Sequence, residues 1–386
     1  MPKRTKKILA TLLAFTLFSP FAHADSTIDK AQHLISTGLD YLQHQQKPDS
    51  SWQNPYEPVG ITAIVLKAFV QSPPNSSKTD FVARGYDKLL ANQLESGGIY
   101  KDSLACYNTA ISISALAAAH DPAFQPAINK AVAYLKSLQW VGDMTTPEGN
   151  RFDKSWYGGW GYGGGKTSGS RPDLSNTQMA LDALHDAGIP KDDPAYAAAI
   201  TFVSSLQNRQ ASNSAPWATD DGGFIYSPGP KGAGESPSGA YLDSNANRHL
   251  RSYGSMTYAG LKSFIYAGLS KDDPRVKAAF AWISGHFTLD ENPGMATADP
   301  KAGLYYYYVT LSRALNAYDV PTITDAKSHP HDWRIELIDK LATEQHADGS
   351  WSGDKRWMEN NPTLVTAYSV LSLEEAVTDL QRNPQR

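Results

Sequence analysis

One cysteine, Cys106, in 386 residues excludes any internal disulfide, so the order of the chain must come from a packed core. Past Phe18 no apolar run approaches the roughly 18 to 20 residues needed to cross a bilayer, and stable membrane insertion is not expected. Basic charge is also short. With 35 Lys and Arg against 39 Asp and Glu the formal charge is −4, a poor balance for gripping nucleic acid or anionic lipid. No D-x-D-D run and no D-D-x-x-D run occurs, and neither glycine-rich lookalike, GGGKTS from Gly163 nor Gly159-Trp160-Gly161-Tyr162-Gly163-Gly164, sits in the β-α-β setting a phosphate or dinucleotide site requires. No cofactor and no metal are therefore expected.

What is present begins with Lys3, Arg4, Lys6 and Lys7, then an apolar run from Ile8 to Phe18, then Ala22-His23-Ala24. That order of basic, greasy and small residues reads as a secretory signal peptide over residues 1–24, with export to the periplasm or beyond. Its removal would take the formal charge from −4 to −8.

Two columns then repeat along residues 25–375. In the first, an aliphatic residue is followed four positions later by glutamine: Leu42 and Gln46, Leu89 and Gln93, Leu135 and Gln139, Val203 and Gln207, Leu341 and Gln345. A further copy, Ile283 and Phe287, lacks the glutamine. Most copies run into a Gly- or Asp-marked turn and an aromatic, as in Asp49-Ser50-Ser51-Trp52, Gly97-Gly98-Ile99-Tyr100, Gly158-Gly159-Trp160 and Asp348-Gly349-Ser350-Trp351, the pattern of a helix ending in a turn. The second column places a Thr before a small and a bulky residue: Thr62, Thr109, Thr177, Thr257 and Thr366, with Tyr308 in the fifth place. Segments around it, such as TAISISALAAA, are apolar on nearly every side and predict buried helices, whereas the glutamine helices alternate charge and grease like surface helices.

Spacing separates the two kinds of connection. From each Thr position to the next glutamine position it is 31, 30, 30, 30 and 37 residues, close to a constant helical hairpin. From glutamine to the following Thr it is 16, 16, 38, 50, 21 and 21, so the large insertions share one kind of connection and hence one face. Six inner and six outer helices alternating in this way close into an all-α (α/α)6 toroid. Residues 376–386 read as a polar tail.

The L-x3-Q-x2-D-G-S-W pattern at Leu341 to Trp351 resembles the QW repeat of squalene-hopene cyclases and, more widely, the terpenoid cyclase and protein prenyltransferase α/α-toroid superfamily. The stretches SYGSMTYAGLKSFIYAGL from Ser252, AGLYYYYVTLSRAL and HDWR are similar to its exported single-toroid branch with prenyltransferase and squalene oxidase repeats. The resemblance implies that Gln and Trp tie neighbouring outer helices together, and it implies an isoprenoid ligand. It also sets Asp173-Leu174-Ser175-Asn176-Thr177 on the cyclase acid motif, matching the first Asp and the Thr. The position it implies as proton donor is Ser175, and a hydroxyl is far too weak an acid to protonate an alkene.

Two function classes stay open. One is a squalene or terpene cyclase-like toroid acting on or binding an isoprenoid or other apolar ligand; the other is a carbohydrate-active lyase or a pure binding module. The long insertions, Trp140 to Pro172 and Asn208 to Tyr253, carry many of the aromatics that could stack on an apolar chain or a sugar ring. The candidate catalytic residues are Asp173, Asn176, His249 and Tyr253. The candidate ligand-binding residues are Tyr107, Asn108, Trp156, Trp160, Tyr162, Trp217, Arg248 and Tyr305. The paired acids Asp192-Asp193 and Asp272-Asp273 read as helix caps before Pro194 and Pro274.

Overall fold

A computed structural model describes residues 20–142, 153–163, 171–296 and 298–384, with side chains from 26 onward. Most of the expected signal segment and the GGGKTS stretch beyond Gly163 lie outside the described residues. Among the described residues twelve α-helices alternate between two layers. The inner layer holds α2 (Gly60–Gln71), α4 (Ala105–Ala118), α6 (Leu174–Asp186), α8 (Gly254–Tyr266), α10 (Leu304–Tyr318) and α12 (Pro362–Arg382). Around it stand α1 (Pro20–His44), α3 (Asp80–Leu90), α5 (Gln125–Ser137), α7 (Pro194–Ser204), α9 (Pro274–His286) and α11 (Trp333–Glu344). Each inner helix packs on the next, and α12 packs back on α2, so the ring is closed and the chain is an all-α toroid.

Caps set the helix starts. Asp193 and Asp273 accept the backbone N–H of Ala195 and Arg275 at 3.0 and 2.9 Å, with Pro194 and Pro274 as first helical residues. Asn361 does the same for α12 ahead of Pro362.

The repeated columns are hydrogen-bonding positions. Each glutamine amide donates to a carbonyl of its own turn and to one on the next outer helix: Gln46 to Ser50 and Phe81, Gln93 to Gly97 and Ala127, Gln139 to Gly158 and Ala195, and Gln207 to Gly222 and Arg275. Gln345 reaches Gly349 and, across the seam, Leu34 of α1, which completes the circle. The indole N–H of Trp52, Trp160 and Trp351 donates to the carbonyl of Leu42, Leu135 and Leu341, the aliphatic member of its own copy. Each column Thr accepts the backbone N–H at the aromatic position, from Trp52, Ile99, Trp160, Phe224 and Trp351 in turn. In the second copy that position is Ile99, fully buried, and not Tyr100. In the fifth place the Tyr308 hydroxyl donates to the Leu289 carbonyl instead, and Phe287, where the glutamine is missing, rests against the His331 ring at 5.0 Å.

The turn glycines follow from the same contact. Gly158 has φ +87°, and a Cβ there would lie 1.9 Å from the carbonyl oxygen of Ala198 on α7. Only glycine permits that approach. Gln139 is 4 % exposed, and Gln139→Leu removes the amide that donates to the Gly158 and Ala195 carbonyls. The variant is expected to lose about 1–3 kcal/mol of unfolding free energy in urea; a loss below roughly 0.3 kcal/mol would mean that the amide ties nothing.

All outer-to-inner connections emerge on one rim, at the N-termini of the inner helices, and two short hairpins complete the fold. On that rim β1 (Ala240–Leu242) pairs antiparallel with β2 (Arg248–Leu250), setting Tyr241 opposite His249. On the other rim β3 (Thr322–Thr324) pairs with β4 (Pro330–Asp332), and this hairpin accounts for the one long Thr-to-glutamine spacing of 37. The expected polar tail is corrected in part. Helix α12 runs to Arg382, because Ala376, Val377 and Leu380 are buried and Asp379 pairs with Arg334.

Candidate active site at the mouth

Asp173 stands at the N-cap of α6 on the rim with the long connections, 3 % exposed. Its two oxygens accept from the backbone and side-chain amides of Asn176, each at 2.8 Å. Burial pushes its carboxyl up to about 7, while hydrogen bonds from Asn176 and the Tyr226 hydroxyl pull the other way. Desolvation wins, so near neutral pH this group exchanges a proton.

Tyrosine hydroxyls surround it. Tyr162 and Tyr226 hydrogen-bond to each other, and burial raises both, with the Asp173 charge adding to the effect. Tyr253 stands at the N-cap position of α8, 2 % exposed, and burial first, then the neighbouring Tyr306, Asp173 and Tyr162, raises its hydroxyl well above the usual phenol range. The Tyr306 hydroxyl meets Ser175 at 2.9 Å and accepts from the Gln178 amide at 3.1 Å. Tyr107 shares a hydrogen bond with Tyr368, whose ring centre lies 6.3 Å from that of Tyr306. A second carboxyl, Glu359, sits at the edge of the group and accepts the N–H of Tyr306 at 2.8 Å. Burial pushes it up to about 8.

Of the residues singled out in the sequence, Asp173, Asn176, Tyr162, Tyr253 and Tyr107 come together here. The others stand elsewhere. Asn108 joins two helix starts, accepting from the Gly60 N–H at 2.8 Å and donating to Ser103 at 3.1 Å. Trp160 is wholly buried in the scaffold bond described above. Trp156 packs edge-on against Trp140 at 4.9 Å, and Trp217 donates to the Gly232 carbonyl at 3.0 Å, so both are buried in the folds of the insertions. Tyr305 faces outward to Glu344 at 3.2 Å. Arg248 and His249 lie on the β1–β2 hairpin, where Arg248 donates to the Ala233 carbonyl at 3.0 Å and His249 meets Asp243 at 3.2 Å.

The site also contains Gln178, Tyr226, Tyr306, Glu359 and Tyr368, which are not among the candidates read from the sequence, and Ser175, which the sequence sets where the cyclase acid would stand. A usable signal existed. Because each column Thr turns outward to bond a loop N–H, residues two away and five away along the same helix turn toward the axis. Two before Thr177 and Tyr308 lie Ser175 and Tyr306, and two after Thr366 lies Tyr368. Five after each column position lie Lys67, Ser114, Asp182, Lys262, Arg313 and Leu371, and all six line one cavity of about 80 Å³ beneath the tyrosines.

That cavity decides how deep the mouth can be. The axis below Tyr306 is filled by charge, with Lys262 on Asp182 at 2.7 Å and Lys67 on Asp186 at 3.1 Å. Solved structures share this architecture. The type II terpene cyclase MstE from Scytonema, without ligand, is similar over 92 % of this chain and 99 % of its own, with 15 % identity and a TM-score of 0.55. An unsaturated glucuronyl hydrolase specific for heparin is similar over 93 % of this chain and 98 % of its own, with 12 % identity and a TM-score of 0.58. At these identities the likeness is one of fold, an α/α toroid. No protein-family model and no curated protein matches the sequence.

Proposed function

We propose that the mouth of this toroid is an acid–base site built on Asp173, and that it takes a small hydroxylated ring compound of the sugar class rather than a folded polyprene. The observation that carries this reading is a buried carboxyl held near 7 among tyrosine hydroxyls. A group titrating near working pH suits proton transfer to or from an oxygen. It is a weaker acid than an ordinary carboxyl, which counts against protonating an isolated alkene.

Space and polarity point the same way. A cavity of about 80 Å³ offers a polyprene little room, and although Ile64, Ile111, Met179, Val309 and Leu371 share its wall, a polyprene there would strip water from Lys67, Asp182, Lys262 and Arg313. Among the similar toroids one acts on glycan, by its name a glucuronyl hydrolase, and a variant of another was solved with merosterolic acid A as product. The fold therefore serves either ligand class, and the charged axis favours the first.

The test is a panel of neutral and uronic glycosides set beside squalene and geranylgeranyl compounds. Glycoside turnover is expected, falling on the alkaline side of about pH 7 as Asp173 loses its proton, and absent in Asp173→Asn. Turnover of a polyprene, or glycoside turnover undiminished by that substitution, overturns the reading.

A further inference from the structure

Asp173 lies below the surface of the mouth. It is 3 % exposed, its two oxygens already accept from Asn176 at 2.8 Å, and the Tyr226 hydroxyl bonds to it as well. A ligand in the mouth therefore reaches its proton only through a neighbour. Those neighbours form a graded series outward: Tyr226, half-buried, bonds to Asp173 on one side and to Tyr162 on the other, and Tyr162 is 37 % exposed. Backbone bonds hold all three links in place. The Asp173 N–H donates to the Trp160 carbonyl at 3.0 Å, the Leu174 N–H to that of Tyr226 at 2.8 Å, and the Cys106 N–H to that of Tyr162 at 2.9 Å. Each link is thus tied to the start of α4 or α6.

Counting donors gives the series a direction. A tyrosine hydroxyl has one proton to give and two lone pairs to receive. The Asn176 amide donates one N–H to Asp173 and the other to Tyr162, and Tyr226 bonds to Tyr162 as well. With both donors in place the lone pairs of Tyr162 are filled, and its own O–H is left for whatever occupies the mouth. Tyr226 has a single proton to share between its two partners. It offers that proton to Tyr162 while Asp173 is protonated and to Asp173 once the carboxyl is charged.

We propose that Tyr162 is the residue that meets the ligand oxygen, and that Asp173 acts through it along a relay of two tyrosine hydroxyls in which Tyr226 is the positioning link. The proposal rests on the acid–base reading of the mouth and adds the path. Three O–H bonds break and three form: Asp173 passes its proton to Tyr226, Tyr226 passes its own to Tyr162, and Tyr162 passes its own to the ligand oxygen. Both tyrosines end neutral, as their burial demands. Asp173 ends as a carboxylate on which the two Asn176 N–H groups and the Tyr226 O–H converge.

The experiment needs no ligand: tyrosine Cζ and aspartate Cγ signals of the labelled chain are followed by carbon NMR across neutral pH, with Tyr162 and Asp173 assigned by their loss in Tyr162→Phe and Asp173→Asn. Asp173 is expected to titrate at about 7 and the Tyr162 signal to move with it. Tyr253 feels the same charge without being a link, so its signal measures what acts through space. Cys106 on α4 stays a thiol, pushed up by burial, and Glu359, raised to about 8, bonds to the Tyr306 backbone, which makes Tyr306 the poorer reference. In Tyr226→Phe the Tyr162 movement is expected to shrink to the size of that of Tyr253, while Asp173 titrates higher for want of a bond to its charged form. A Tyr162 signal that moves no further than Tyr253 in the wild type, or as far in Tyr226→Phe as in the wild type, overturns the relay and leaves the reading of the mouth standing. If Tyr226→Phe does not fold, the wild-type comparison decides alone. An Asp173 that does not titrate near 7 overturns both. With any glycoside that is turned over, Tyr162→Phe and Tyr226→Phe should each lower kcat about 100-fold at unchanged KM, and an undiminished kcat in either overturns the relay.

Discussion

Asp173→Asn is expected to raise the unfolding free energy at pH 8 by about 4 kcal/mol while leaving it nearly unchanged at pH 4. In the folded chain the Asp173 carboxyl is raised from 3.8 to about 7. Below 3.8 it is protonated in both states and its burial carries no charge penalty. Between about 4 and 7 the unfolded chain gives up the proton and the folded chain keeps it, so stability drains away as pH rises and stays low above the folded value. Asparagine removes the charge and keeps the shape. Its carbonyl still accepts the Asn176 N–H, and the Asn176 amide can turn to offer its Oδ1, an oxygen that has no partner in the wild type. Urea titrations of both proteins at pH 4, 6 and 8 measure the effect. If the two stability curves run parallel across that range, the carboxyl is not buried in charged form and the acid assigned to the mouth is lost. Glu359, raised from 4.5 to about 8, keeps a residual slope in the variant. A site that gains stability when its reactive group is neutralised is one whose reactivity was held at the expense of the fold.

How much of this was legible in the sequence depends on which side of a helix carried the signal. The Thr column marked the inner helices because close packing demands apolar, small-residue segments, and that demand is written in composition. What each Thr does could not be read. Its hydroxyl serves a loop N–H whose position depends on insertions of quite different length, yet Trp52 and Trp160 arrive at Thr62 and Thr177 alike. That outward bond fixes the helix rotation, and only with the rotation known do Tyr306 and Tyr368 turn toward the axis while Tyr305 turns to Glu344.

Aromatic content misled for a related reason. Trp156 and Trp217 were conspicuous among glycines, but a long insertion needs a core of its own, and these indoles supply it. Asp173 was legible through its register on Thr177; its neighbour Tyr226 was not, because the β-bridge that places Phe224 beside Gln207 has no trace in local sequence. By residue type Tyr100 is the aromatic of its copy, but the six-residue spacing from glutamine selects Ile99, since the loop N–H and not the ring is what the scaffold needs.

Arg334→Met should cost about 3–5 kcal/mol of unfolding free energy, the range for stripping one partner from a buried ion pair. Arg334 is 2 % exposed and Asp379 fully buried. One guanidinium nitrogen reaches Asp379 at 2.9 Å and the Asn383 carbonyl at 2.8 Å, while the others grip Asp332 at 2.9 and 2.7 Å. The residue thereby pins the last turns of α12 to the start of α11. Without it Asp379 keeps only Arg382, itself 47 % exposed, as a counter-charge. A buried carboxylate so weakly answered is what the cost measures, and it falls on the helix that closes the ring onto α1 and α2. The double variant Arg334→Met, Asp379→Leu removes the fully buried carboxylate together with its partner and should recover a large part of the loss, the remainder being the bonds to Asp332 and Asn383, which water can partly replace because Asp332 is 18 % exposed. Recovery would locate the penalty in the stranded carboxylate. If the double variant is instead as unstable as the sum of its parts, the two residues act separately, and α12 is held on α11 by packing rather than by this pair.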